Sequence, residues 1–304
     1  MTKLAIIIPC YNSEHTIGTV VDSTISVLDN LGQYDYQIVL VNDCSKDNSY
    51  EVICELAKQK ACVLGIDLAH NTGQHNALIA GLHYADADLY LGLDDDMQTH
   101  PSQIGKLIDK LNEGYDVVYG AYRETKKKQL YRRIGSSFNN YTVSTLLGKP
   151  RDMRVSSFWI ARRFVRDEVI RGESRFTNLL GLFLRSTNKI TNVEIEYFDR
   201  ISGSSGYTII KLIRQWSSVL NYSSLPLRLP LASGALLLLL AVIHIILLIV
   251  FRASWNVEMH IFCILFELIA SSLFVGLGMI GEYIGRMFRV VTHDPQFVVR
   301  QTTE

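Results

Sequence analysis

The chain has 304 residues, 48% of them hydrophobic, which is enough for a full core in one or two domains. Its 30 Lys and Arg offset its 30 Asp and Glu, so no global field points to nucleic acid or to an acidic partner. Five cysteines, Cys10, Cys44, Cys54, Cys62 and Cys263, show no CxxC spacing; they read as reduced thiols in a cytosolic compartment, not as disulfides or a zinc site.

Up to about residue 120 the chain alternates strand, loop and helix. The strands are "KLAIIIP" (3–9), "YQIVLVN" (36–42), "ACVLGIDL" (61–68), "LYLGL" (89–93) and "DVVYG" (116–120), with helical patterns between them. That rhythm predicts a doubly wound, mostly parallel sheet, in which ligands sit at the carboxyl ends of the strands. Polar residues gather at those ends: Pro9 to Asn12 after the first strand, Asn42 and Asp43 after the second, Asp94 to Asp96 after the fourth.

The three consecutive carboxylates of "LGLDDDMQTHP" need neutralisation. If the backbone stays extended past Leu93, Asp94 and Asp96 project to one face and Asp95 to the other. Two convergent carboxylates form a hard-oxygen site for Mg²⁺ or Mn²⁺. Taken in isolation, a solvated acidic turn capping the helix that begins near Pro101 is the better reading of three such residues, and context must carry the metal site. "DCSKDN" (43–48) imitates the start of an EF-hand loop, but Asn48 stands where Gly belongs and Cys54 where Glu belongs. Gly276-Leu-Gly278-Met-Ile-Gly281 matches GxGxxG in letters only, because it follows no strand.

Beyond the fifth strand, Arg123, Lys126, Lys127, Lys128, Arg132 and Arg133 form a basic run. It reads as a solvated face, an attraction to anionic lipid, or a phosphate site. Further on, "YTIIKLIRQWSSVLNYSSLPLR" puts Ile209, Ile210, Ile213, Trp216 and Leu220 on one helical face, as an interfacial helix would. Residues 231–251 carry no formal charge and are long enough to cross a bilayer, and 261–284 form a second apolar run, interrupted only by Glu267 and Glu282, joined to the first by "RASWNVEMH". Arg214, Arg228, Arg286 and Arg289 flank the pair, against Arg252 alone in the connection, so both ends are expected in the cytoplasm. Gly281 and Gly285 make a GxxxG pair suited to close helix packing, and His244 and Glu267 inside the spans suit polar contacts between helices. The expected organisation is a catalytic domain over 1–206, juxtamembrane helices over 207–230, a transmembrane hairpin over 231–285, and a cytosolic tail over 286–304. Met1 to Pro9 leads straight into a strand, and no signal peptide is expected.

Six ordered motifs, "IPCYNSE" (8–14), "VNDCSKDNS" (41–49), "NTGQHNALIAGL" (71–82), "LDDDMQTHP" (93–101), "DRISGSSGY" (199–207) and "GLGMIGEYIGR" (276–286), together carry a resemblance that covers almost the whole chain. It resembles the inverting GT-A glycosyltransferases that move a sugar from a nucleotide onto a polyprenyl phosphate, typified by dolichol-phosphate mannose synthase. Within them it is most similar to bacterial undecaprenyl-phosphate transferases with a C-terminal membrane hairpin, notably those for 4-deoxy-4-formamido-L-arabinose and for glucose.

The resemblance implies a GT-A (Rossmann-like) domain and a set of roles. Asp94 and Asp96 would hold Mg²⁺ or Mn²⁺ on the donor diphosphate. Pro9, Tyr11, Asn12, Glu14, Asp43, Gln74, Asp95 and Ser205 would line the nucleotide-sugar pocket, with Asp43 accepting from a base N–H; by itself, Asp43 reads as a turn-forming residue. Arg123, Arg132 and Arg200 would hold phosphate, for which a guanidinium fork suits better than a lysine point charge. The acceptor phosphate, with a second pKa of about 6, is already anionic at neutral pH, so no strong general base is needed and His70 and His75 read as structural. Implied partners are a nucleotide sugar, undecaprenyl phosphate, the bilayer of a bacterial inner membrane and, by the same resemblance, further copies of the chain in a tetramer.

The sequence also departs from the family pattern. Ser13 stands where Glu is frequent, Asp95 where a small residue is usual, Cys44 for a glycine, Gly206 for a lysine, and Trp159 near a frequent arginine. Two other readings compete. A processive polysaccharide synthase would need a QxxRW motif that is absent, and an inactive membrane scaffold would keep the fold without binding nucleotide.

Overall fold

The computed structural model describes residues 1–122, 149–150, 153–171, 178–196, 198, scattered positions between 262 and 287, and 295–303. The chain divides into two units, Met1–Val219 with Pro295–Glu304, and Leu220–Asp294.

In the first unit the strands are β1 (Thr2–Cys10), β2 (Tyr34–Asn42), β3 (Val63–Leu68), β4 (Leu89–Gly92), β5 (Val117–Tyr122), β6 (Trp159–Arg162), β7 (Ile190–Ile195) and β8 (Val299–Thr302). They form one sheet in the order β7-β5-β6-β4-β1-β2-β3-β8. The helices are α1 (Ile17–Leu31), α2 (Ser49–Gln59), α3 (Gln74–Tyr84), α4 (Ile104–Asn112), α5 (Arg163–Ile170) and α6 (Leu179–Ser186).

Alternate residues of β1 enter opposite faces of the sheet. Leu4, Ile6 and Ile8 pack with Val20, Val21 and Leu28 of α1 and Leu107 and Leu111 of α4. Ala5 and Ile7 pack with Ile79 and Leu82 of α3, Val165 of α5 and Phe183 of α6. Burial on both faces is why β1, β2 and β3 read as nearly continuous apolar runs. Each fully buried Leu, Ile or Phe contributes about 1.5–3 kcal/mol relative to an exposed one, so the sheet is a stiff platform for whatever its ends carry.

The five expected strands form, and β4 pairs with β1 and β1 with β2 in parallel. Three further strands, β6, β7 and β8, were not anticipated; β7 extends the sheet parallel to β5. β6 runs antiparallel between β4 and β5, with Trp159 opposite Gly92. A Cβ on Gly92 would sit 2.5 Å from the Trp159 indole, so only glycine lets that ring lie across β4. Trp159 is thereby a buried core residue, edge-on to Phe183 at 5.0 Å, and not a residue of the site. The last unexpected strand, β8, lies within the expected cytosolic tail over 286–304, and pairs antiparallel with β3.

In the second unit the described residues of 262–287 are helical. Phe262, Phe266, Ile269, Leu273, Leu277, Ile280, Ile284 and Met287 recur at intervals of three and four along this segment, and all are exposed. Among the described residues no helix is long and apolar enough to cross a membrane. The juxtamembrane segment 207–230, the first span 231–251, His244 and Glu267 lie outside the described residues. Among the described residues Cys10, Cys44, Cys54 and Cys62 are free thiols, and Cys263 lies outside the described residues.

Candidate active site

Because β1, β2, β3 and β4 are mutually parallel, their carboxyl ends open on one side. Pro9 is the penultimate residue of β1 itself, and the loops there carry Tyr11, Asn12 and Glu14 after β1, Asp43 after β2, and Asp94, Asp95 and Asp96 after β4. Gln74 begins α3. Arg123, Arg132, Arg200 and Ser205 lie outside the described residues. A cavity of about 460 Å³ lined by Thr2, Tyr34, Asp88, Arg162 and Phe164 lies at the opposite, amino ends of the strands and takes no part in this arrangement.

The loop after β2 is fully organised. Asp43 is only 4% exposed. Its Oδ1 accepts from the Thr72 backbone N–H at 2.7 Å and the Thr72 hydroxyl at 3.1 Å, and its Oδ2 accepts from Gly73 N–H at 2.9 Å. Asn71 Nδ2 donates to the Asp43 carbonyl at 3.0 Å. Asp43 therefore ties its own loop to the amino end of α3, where a negative charge is favoured by the helix dipole. Gly73 has φ 85, which explains a glycine in "NTGQ". Asn12, with φ 55, donates from its N–H to Ser45 Oγ at 3.0 Å and accepts from Lys46 N–H at 2.9 Å, closing the β1 loop onto the β2 loop. Glu14 Oε2 accepts from Asn48 N–H and Nδ2 at 2.9 and 3.0 Å, so it braces the start of α2.

The acidic stretch after β4 differs from its expected geometry. The strand ends at Gly92, Leu93 makes one more bond to Ile7 O at 3.1 Å, and the chain then turns, with Met97 at φ 62. Strand alternation therefore does not place Asp94 and Asp96 together; a turn does. The plain cap reading also gives way, because the turn at Pro101 is capped by His100 Nδ1, which accepts from Ser102 N–H at 3.2 Å.

In that turn Asp94 accepts from Gln74 Nε2 at 2.8 Å and from the Ser157 hydroxyl. Asp95 accepts from Tyr11 N–H at 3.3 Å and from the Ser13 hydroxyl, and Asp96 accepts from Gln98 N–H at 3.0 Å. Burial pushes the Asp94 carboxyl up to about 7, and the charges of Asp96 and Asp95 add to the rise against the opposing bonds from Ser157 and Gln74. Burial likewise raises Asp95.

The donors suit a hard divalent cation, which would reverse that rise by supplying the missing positive charge. Among the described residues no three His, Cys, Asp or Glu side chains converge as a complete ligand set, so the turn would hold such an ion by one or two carboxylates with phosphate and water completing the shell.

Sequence reasoning missed Ser157, whose hydroxyl reaches Asp94 across 63 positions and whose own segment carries no periodic signal. Two departures from the family pattern also meet: Ser13 and Asp95 are hydrogen-bonded to each other. A third, Cys44, has φ 56, a conformation that favours the usual glycine.

Residues 5–170 match the family model described as Glycosyl transferase family 2. The chain is 32% identical, over 99% of its length and 94% of the relative's, to the undecaprenyl-phosphate 4-deoxy-4-formamido-L-arabinose transferase of Proteus mirabilis (strain HI4320). It is 30% identical, over 98% and 94%, to the protein of the same description from Photorhabdus laumondii subsp. laumondii. Among solved structures, mannosyl-3-phosphoglycerate synthase from Rubrobacter xylanophilus superimposes with a TM-score of 0.52 at 18% identity, covering 73% of this chain and 72% of that one. Glucosyl-3-phosphoglycerate synthase from Mycobacterium tuberculosis, solved with Mn²⁺ and UDP-glucose, gives 0.53 at 18%, covering 73% and 79%. These likenesses show a shared α/β fold of the GT-A kind. With more than half of the chain matched by the family model and relatives similar along nearly all of it, the chain belongs to glycosyl transferase family 2 and is a glycosyltransferase.

Proposed function

We propose that the protein transfers a sugar from a nucleotide sugar, with UDP as the nucleotide, to undecaprenyl phosphate at the cytosolic face of a bacterial inner membrane, supplying lipid-linked sugar for envelope glycan modification. The observation that carries the reading is the acidic turn after β4, where Asp94 is pushed up to about 7 beside Asp95 and Asp96 at the carboxyl ends of the parallel strands. A site so rich in negative charge suits a cation and, through it, a diphosphate. The full-length similarity to relatives described as undecaprenyl-phosphate transferases supports the acceptor. The Mn²⁺ and UDP-glucose in the Mycobacterium tuberculosis structure support the donor and the metal.

In this reading Asp94 and Asp96 hold Mg²⁺ or Mn²⁺, which when bound neutralises the departing diphosphate by several kcal/mol. Gln74 and Ser157 fix the Asp94 carboxylate, leaving its remaining lone pairs for the ion. Asp43 shapes the base pocket by anchoring residues 72–73, and the one lone pair left on its Oδ2 is available to a base N–H. The acceptor phosphate oxygen, anionic at neutral pH, attacks the anomeric carbon as the bond to the diphosphate breaks, so the configuration inverts and no proton must be removed by the protein. Arg123, Arg132 and Arg200 are assigned to the phosphates. Segments 207–230 and 231–285 are assigned to the interface and the membrane hairpin, for which the exposed apolar row from Phe262 to Met287 is supporting evidence.

The test is to give purified full-length protein undecaprenyl phosphate, Mn²⁺ and a panel of nucleotide sugars, then extract the lipid fraction. One labelled sugar should become lipid-linked and EDTA should abolish the product. No lipid-linked product from any donor would overturn the reading.

A further inference from the structure

The chain returns to the far edge of the sheet through β8, and the pairing there is irregular. Ile66 lies opposite Thr302 and Asp67 opposite Gln301, but Leu68 lies opposite Val299. Arg300 is therefore the extra residue of a β-bulge, a device that re-aims a side chain. It points back to the end of β3: its guanidinium donates to Asp67 Oδ2 and to the Ala69 carbonyl, both at 3.1 Å. Asp67 is 2% exposed, and a carboxylate that deep needs a balancing positive charge.

From Asp67 the contacts run directly into the donor loops. Asn42 Nδ2 donates to Asp67 Oδ1 at 2.7 Å, and Asn42 Oδ1 accepts from Ser45 N–H at 3.2 Å. Ser45 Oγ in turn accepts from Asn12 N–H at 3.0 Å. Asp43, between Asn42 and the bridge to residues 72–73, is thus held on both sides. The segment after β3 is fixed by the same strand, since Ala69 N–H donates to the Val298 carbonyl at 2.8 Å. Phe297, half-buried against the core beside His83, and Thr303 Oγ1, accepting from Gly65 N–H at 2.9 Å, pin both ends of β8.

We propose that Arg300 is a positioning residue for the nucleotide pocket: the bulged C-terminal strand holds the 43–48 and 69–73 loops in the geometry the donor needs. Donor affinity would then depend on residues that follow the whole proposed membrane segment in the chain. The inference rests on the donor-site reading for its ligand, while the ordering of the loops can be measured without it.

The experiment compares full-length wild type with Arg300→Ala, Arg300→Lys and the double variant Asp67→Asn/Arg300→Ala. Hydrogen exchange is followed in 43–48 and 69–73, UDP affinity by calorimetry with Mn²⁺, and steady-state constants for donor and acceptor. Arg300→Ala should exchange faster in those two segments with β1 and β2 unchanged. It should also raise the donor KM about tenfold, as coupled sites do, while kcat and the acceptor KM stay level. Arg300→Lys should recover part of the loss, and the double variant more of it, because the uncompensated carboxylate is gone. Unchanged loop exchange in Arg300→Ala, or faster exchange spread evenly over the sheet with donor and acceptor constants moving together, would overturn the proposal. If the wild type binds no nucleotide, the donor reading falls, and the exchange comparison alone decides the role of Arg300.

Discussion

Two acidic loops at the same end of the sheet are treated in opposite ways. After β2, Asp43 is buried and each carboxylate oxygen accepts a backbone N–H from residues 72–73. After β4, Asp94 to Asp96 have side-chain and single backbone partners, and burial with mutual repulsion pushes Asp94 up to about 7. The first loop is electrostatically complete within the protein. In the proposed reading the second is completed by a cation, so that one loop builds a pocket and the other recruits a ligand.

The widest separation between the two loops should appear in turnover. Asp94→Asn or Asp96→Asn should lower kcat by about 10³-fold or more, since losing several kcal/mol of leaving-group stabilisation costs a factor of ten per 1.36 kcal/mol. Thermal stability in EDTA should not fall with it. A variant with near-normal turnover would break the contrast at its active half.

Asp43→Ala should do the reverse. It leaves the Thr72 and Gly73 N–H groups without their acceptor, at a cost of about 2–3 kcal/mol, read as a lower melting temperature of the metal-free protein. Asp43→Asn should recover only part of this, because one carboxamide oxygen cannot replace two carboxylate oxygens. A stable Asp43→Ala protein with weakened nucleotide binding would mean the carboxylate serves the base, not the loop.

The raised Asp94 carboxyl gives the contrast a pH signature. Its folded pKa, about 7, lies above the ordinary 3.8, so the folded state holds the proton longer than the unfolded chain does. Metal-free stability should accordingly fall as pH rises from about 4 to about 7 and level off above. Asp94→Asn lacks this slope. In EDTA it should melt above wild type at pH 8, by on the order of 1 kcal/mol after solvent screening, and match it near pH 4. Saturating Mn²⁺ should reverse the order. Parallel melting profiles across this range would remove the charge argument.

The smallest effect is assigned to Gln74→Ala. It removes one hydrogen bond from Asp94 and should weaken Mn²⁺ binding about threefold with little change in kcat at saturating metal.

Much of this was legible in the sequence because the strands that position the site are buried on both faces and announce themselves as apolar runs ending in polar residues. β1, β2, β3, β4 and β5 form within a few residues of their expected bounds. Three strands escaped, β6, β7 and β8; β6 and β8 have four residues each and owe their conformation to their partners, Trp159 to the bare Gly92 and β8 to the edge of β3, while β7 completes the other edge beside β5. Asp94 and Asp96 stood out from their charge, but the turn that gathers them did not, since it begins where β4 loses its neighbours. The partners of Asp43 and Asp94 come from residues 72–73 and 157, contacts that no local pattern encodes. Arg300 was invisible for the same reason.

Crystals of the full-length protein grown with UDP and Mn²⁺, measured at the manganese absorption edge, test the central claim most directly. The account predicts an anomalous peak coordinated by Asp94 or Asp96 and by the diphosphate. Bound UDP with no anomalous peak beside these carboxylates would contradict it.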